Sequence, residues 1–274
     1  MRAEADAPPD PGLSTIAIGL VVSAVIWVGI VRMLARRTGP HASRAPDPRL
    51  APFGLLAFGL LFVLQLVAGL IVGDRLKDAG AAAQTAALVP IDLLAVAVPL
   101  LLARFAARPR IPFGEFGLAR SDGALRARDF GFALGIYVAA IPLFFAASAL
   151  NGWIYSRLGV DPTQSVVKDL LANATARGDF VVIAMIAGVI PLLEELLFRG
   201  LLQHALRGFL RPAFAVAITA ALFAAAHSTA ALPVFVIGLV LGVACEVTGS
   251  IWPGVFLHAL HNSLQLAYID HLVK

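Results

Sequence analysis

The stretch Pro191-Leu-Leu-Glu-Glu-Leu-Leu-Phe-Arg-Gly200 sets three ionisable side chains inside an apolar run, because Phe180 to Ile190 before it holds no charge. A charge at the centre of a membrane helix costs about 2.5–3.5 kcal/mol on the insertion scale. Glu194, Glu195 and Arg199 together would ask for about 8–10 kcal/mol, most of what an apolar span returns. The spacing offers an offset. Glu195 and Arg199 are i, i+4 with the acid first, so they can pair on one helix face. Glu194 sits about 100° round the helix and points elsewhere. One carboxylate reads as structural and the other as available for chemistry.

Only 14% of the 274 residues are charged and 59% are hydrophobic, with a mean hydropathy of +0.87. A soluble domain is about one-quarter charged. The expected fold is therefore an all-α membrane protein, about eight transmembrane helices in one bundle, with no soluble domain. The net charge of +4 comes largely from arginines in short loops. These mark topology by the positive-inside rule and not a nucleic-acid surface. Cys245 is the only cysteine, which excludes an intrachain disulfide and a thiolate metal cluster. In an apolar helix it reads as buried filler.

Residues 1–12 form a polar tail, 13–175 the N-terminal transmembrane helices and loops, and 176–274 the helical core that carries the chemistry. The tail lacks the basic start of a cleaved signal peptide. Spans are predicted over Leu13–Leu34, Ala51–Gly73, Ala86–Arg104 and Phe130–Leu150. Loops holding Arg32, Arg36, Arg37, Arg44 and Arg49, and then Arg104, Arg108, Arg110, Arg120, Arg126 and Arg128, fall on the cytoplasmic side. Both termini then lie outside. Ile111 to Leu118 is expected along the interface. Asn151 to Asp179 is the longest external segment, with Trp153 and Tyr155 as interfacial anchors. The sequon at Asn173 reads as unused. The fifth span runs from Phe180 to about Gly208; within it Pro191 should free the carbonyl of Ala187. His204 reads as an interfacial polar residue. The last spans are Ala213–Thr229, Leu232–Val247 with a small-xxx-small face at Gly238 and Gly242, and Ile251–Ile269.

Polar side chains in apolar helices usually face the bundle interior and mark function. Here they are Glu194, Glu195 and Arg199, then His227, then His258 and Asn262. Glu194 and His227 both stand about 24–25 Å from a turn near residue 210, so an antiparallel hairpin brings them level. His258 and Asn262 share one face of the last span. Their depth matches only if the hairpin of spans five and six protrudes into the cytosol. A carboxylate against a neutral imidazole can hold and deprotonate water. A second imidazole and an amide can donate to the oxygen that becomes negative when a carbonyl is attacked. That is acyl transfer to water. The alternatives are plain interhelical hydrogen bonds and a three-ligand metal site on Glu194, His227 and His258.

These residues resemble a known family. Glu194-Glu-Leu-Leu-Phe-Arg199 is similar to its E-E-x-x-x-R motif, and Phe223-Ala-Ala-Ala-His227 to F-x-x-x-H. His258 to Asn262 matches H-x-x-x-N, behind the usual Gly and Trp-Pro at Gly249, Trp252 and Pro253. The family is that of the CAAX-prenyl-protease and bacteriocin-processing (CPBP) intramembrane endopeptidases, and the likeness covers about Ile190 to Leu264. It implies Glu194 as the base that activates water, His227 as its assistant, and His258 and Asn262 as the oxyanion site. Glu195, Arg199 and Phe223 would support them or meet the substrate. His261 is outside the pattern. A metal-free glutamate mechanism is preferred, with zinc as the alternative cofactor.

The expected partners are the lipid bilayer and a hydrophobic peptide or protein substrate. Relatives cleave prenylated proteins, process peptides or act in bacteriocin immunity; a non-catalytic scaffold or immunity protein is the rival reading. Of 21 basic side chains only Lys77, Lys168 and Lys274 are lysine. That bias suggests a GC-rich bacterial genome and a multi-pass protein of the inner membrane. A C-terminal membrane anchor or secreted peptide precursor then fits better than a prenylated protein.

Overall fold

The computed structural model describes residues 47–76, 81–107, 110–118, 125–161, 163 and 180–273, with scattered helical positions between 17 and 32. The polar tail, most of the first span, most of its arginine loop and the Asn173 sequon lie outside the described residues. Among those described there is helix and no strand.

Helix α1 is Ala51–Leu76 and α2 is Ala81–Leu101, which widens into a π turn at Leu102–Ala106. Helix α3 is Ala127–Arg157. Next comes a run, α4, made of five pieces: Phe180–Ala184, a π turn at Met185–Val189, Ile190–Glu195, a π segment at Leu196–Gln203, and His204–Arg207. Helices α5 (Pro212–Ala225), α6 (Ala231–Thr248) and α7 (Trp252–Val273) complete the order.

Among the described residues three helices are long and apolar enough to cross a membrane: Val89–Ala106, Ala127–Arg157 and Ala231–Thr248. Ala51–Val67 and Pro212–Ala225 are shorter apolar helices. The eight expected crossings exceed what length and apolarity establish, in part because π segments divide α4. Phe62, Phe145, Phe180, Phe214 and Tyr268 are each more than half exposed on the outside of the bundle. Large apolar groups facing outward are what lipid, unlike water, accommodates. This is the surface of an integral membrane protein.

Helix α6 is the buried axis. A Cβ at Gly238 would lie 3.1 Å from Ala220, and one at Gly242 would lie 3.0 Å from Val216, both on α5. The small-residue face thus lets these two helices touch closely. The bared carbonyls of α6 are then used by α4. Arg199 Nη2 donates to Gly238 O at 3.1 Å, and Gln203 Nε2 donates to Gly242 O at 3.1 Å. Arg207 Nε donates to Glu246 at 2.9 Å. These rungs advance in the same sense along both helices, so α4 and α6 run parallel.

Two regions differ from expectation. Helix α3 does not stop at Leu150 but continues through Trp153 and Tyr155 to Arg157. Asn151 on it is buried; its amide donates to Thr229 O at 2.8 Å and its carbonyl accepts from Leu232 N at 3.3 Å. The end of α3 is thereby tied to the α5–α6 turn, which favours continued helix over an external loop. The segment 111–118, expected along the interface, anchors Ile111 and Phe116 fully within the bundle and leaves Phe113 exposed. Gly117 O accepts from Ile251 N at 3.0 Å and Leu118 O from Trp252 Nε1 at 3.0 Å. The reason is the turn between α6 and α7, where Ser250 and Ile251 have no exposure. Donors recessed from water need protein acceptors. Gly117 takes φ 70° at this contact, where a Cβ would meet Ile251 at 3.0 Å. The recessed turn also brings His258 to the depth of Glu194, which counting from a surface turn does not.

Candidate active site

Helix α4 presents its two glutamates differently. Glu195 and Arg199 are fully buried and paired, Nη1 to Oε1 at 2.7 Å. Two buried charges need further hydrogen bonds to offset their lost hydration. Arg199 finds one at Gly238 O and a cation–π contact with Phe223, 4.6 Å from ion to ring centre. Phe223 is itself enclosed, with centroids 4.5 Å from His227 and 5.7 Å from His258. It fills the space between the ion pair and both imidazoles.

Glu194 keeps some exposure, its side chain 19% accessible, and stands between the two rings. Its Oε1 is 3.7 Å from His227 Nε2 and its Oε2 is 3.4 Å from His258 Nε2. His227 lies just past the end of α5, and its Nδ1 donates to Phe223 O at 2.8 Å. A carbonyl can only accept, so Nδ1 carries the proton and a neutral ring turns its Nε2 lone pair to Glu194. His258 is buried; its Nδ1 donates to Glu195 Oε1 at 3.1 Å. The structural carboxylate thus orients the imidazole that faces the free one, a link the sequence did not reveal. Gly254 makes room for it, since a Cβ there would lie 2.8 Å from Glu195 Oε2.

Three of the four expected residues therefore meet: Glu194, His227 and His258. Asn262, one turn beyond His258, has its Nδ2 on Ile186 O at 2.8 Å. His261 is turned to α3, with Tyr137 OH at 3.0 Å on Nδ1 and Gln265 at 2.9 Å on Nε2. His204 bonds its own helix through Arg199 O, and Cys245 is buried and unpaired with another cysteine.

Among the described residues no group of three His, Cys, Asp or Glu side chains is arranged to hold a metal ion. One acid went unread in the sequence. Asp92 on α2 acts electrostatically on Glu194, and its Oδ1 is buried without a hydrogen-bond partner. It is the only carboxylate in the predicted third span, which is signal enough.

Residues 176–264 match a family model described as Rce1-like, type II CAAX prenyl endopeptidase Rce1-like. This segment is similar to that family. It holds every residue of the Glu194–His227–His258 cluster and agrees with the CPBP resemblance of the motifs. The likeness is thus to CAAX-type intramembrane proteases and is confined to this segment; the outward-facing apolar helices indicate a membrane setting. The helices α1 to α3 lie outside the match. No curated protein and no solved structure matches the chain.

Proposed function

We propose that the chain is an intramembrane endopeptidase of glutamate type, in which Glu194 activates the attacking water. The observation that carries this reading is the Glu194 carboxylate held between the imidazoles of His227 and His258. A carboxylate oxygen and an imidazole lone pair are both acceptors, and 3.7 Å between them suits a water that donates to each. Its oxygen is then aimed at a scissile carbonyl. Glu194 takes the water proton as the C–O bond forms, and returns it to the amine as the C–N bond breaks. The products are a new carboxylate and a new amine.

His258 supplies the other half of the electrostatics. For Nε2 to donate to the developing oxyanion its ring carries both protons, and Glu195 behind Nδ1 stabilises that charge. Asn262 has a second amide N–H beyond the one bound to Ile186, and that second donor completes the oxyanion site.

We read the protein as multi-pass, with about eight crossings of a bacterial inner membrane, the arginine-rich loops lying in the cytoplasm. The substrate is a hydrophobic peptide or membrane-anchored protein. A C-terminal anchor or secreted precursor suits it better than a prenylated tail. Comparing the C-termini of the cellular proteome with wild-type protein and with Glu194→Gln tests this. New C-termini confined to the wild type are expected; identical sets would reject the reading.

A further inference from the structure

A proline inside a membrane helix leaves one carbonyl without its backbone donor, and no water reaches it in lipid. Which carbonyl is left depends on the local register. Counting four residues back from Pro191 gives Ala187, but α4 is not α-helical there. Met185–Val189 is a π turn, and Ile190 N donates to Met185 O, five residues back. The next bond in that register would run from residue 191 to Ile186 O. Residue 191 is proline and has no N–H. At Ile186 O stands the side chain of Asn262, its Nδ2 2.8 Å away.

We propose that the Asn262 amide replaces, from α7, the hydrogen bond that Pro191 cannot make, and so holds the π turn that leads into Glu194. Asn262 is in this respect a positioning residue. Helix α7 then grips α4 at two levels, through Asn262 at Ile186 and through His258 at Glu195. A turn free to return to α-helical winding would rotate Glu194 relative to both imidazoles, because each added residue per turn shifts the later side chains round the axis. The effect on cleavage rests on the peptidase reading; the bond itself does not.

The test is a cycle of four proteins in lipid nanodiscs: wild type, Asn262→Ala, Pro191→Ala and the double variant. Each is assayed for thermal unfolding and for cleavage of a fluorogenic hydrophobic peptide. Pro191→Ala restores a backbone N–H. Asn262→Ala alone is expected to lower Tm by about 3–8 °C, as for one lost buried bond. In the Pro191→Ala background the same change should lower it by about 1 °C or less. The kcat loss from Asn262→Ala should shrink in that background too, with KM unchanged. Equal Tm drops in both backgrounds, or none in either, would overturn the proposal. If Asn262→Ala does not fold, a folded double variant supports it and an unfolded one overturns it. Absence of cleavage by the wild type would count against the peptidase reading alone, since the Tm cycle is read without substrate.

Discussion

Helices α3 and α4 are both long apolar runs with an internal proline, Pro142 in one and Pro191 in the other. α3 stays α-helical from Ala127 to Arg157. Its buried polar residues, Asp129 and Asn151, sit near its ends, where Asp129 accepts from Arg126 N at the start of the helix and Asn151 bonds the α5–α6 turn. α4 carries Glu194, Glu195 and Arg199 in its middle and widens into π segments on both sides of the glutamates. A proline alone therefore does not explain the loss of regularity. What differs is the polar cargo and the neighbours that must reach it: Asn262 from α7, and the Gly238 and Gly242 carbonyls from α6. Single π turns are frequent at functional sites.

Exchanging features between the two helices should expose this difference. After Glu194 itself, the largest effect is expected from His227→Ala, which removes the imidazole facing Glu194 and should slow cleavage by about 10²–10⁴-fold; Tyr137→Phe on α3 should leave the rate within about threefold. Peptide assays on matched, folded protein check both. Next, Arg199→Met leaves Glu195 buried and uncompensated and should destabilise by about 3–5 kcal/mol, read by chemical unfolding in detergent. Adding Glu195→Leu should recover part of that loss while cleavage stays low, because His258 loses its orienting carboxylate. Gly254→Ala pushes a methyl against Glu195 Oε2 and should cost about 1–3 kcal/mol. The smallest effect belongs to α3: Pro142→Ala should change stability by about 1 kcal/mol or less and leave cleavage alone. A loss there as large as at Arg199 would erase the distinction between the helices.

Much of this was readable from residue spacing. The i, i+4 step gave the Glu195–Arg199 pair, and equal distances from one turn brought Glu194 level with His227. Gly238 and Gly242 announced a close helix contact. What spacing could not supply was anything that depends on irregular backbone. The register shift at Met185–Val189 moves the orphan carbonyl from Ala187 to Ile186, and nothing in the periodicity marks a π turn. The recessed Ser250–Trp252 turn likewise changed the depth of His258, because hydropathy counts residues from a surface that the turn does not reach. Asn151 looked like the start of a loop since its bonds lie far away in sequence, at Thr229 and Leu232. Asp92 is legible as the lone carboxylate of an apolar span; its nearness to Glu194 needed the packing of α2 on α4.

The central claim is that Glu194, and not its buried neighbour, moves the water proton. Cleavage of a hydrophobic peptide should be measured for wild type and Glu194→Gln in nanodiscs, at a temperature where both remain folded by the same unfolding assay. Cleavage by the wild type with a loss of about 10³-fold or more in the variant, at matched Tm, is the predicted result. Equal cleavage by the two proteins would contradict it.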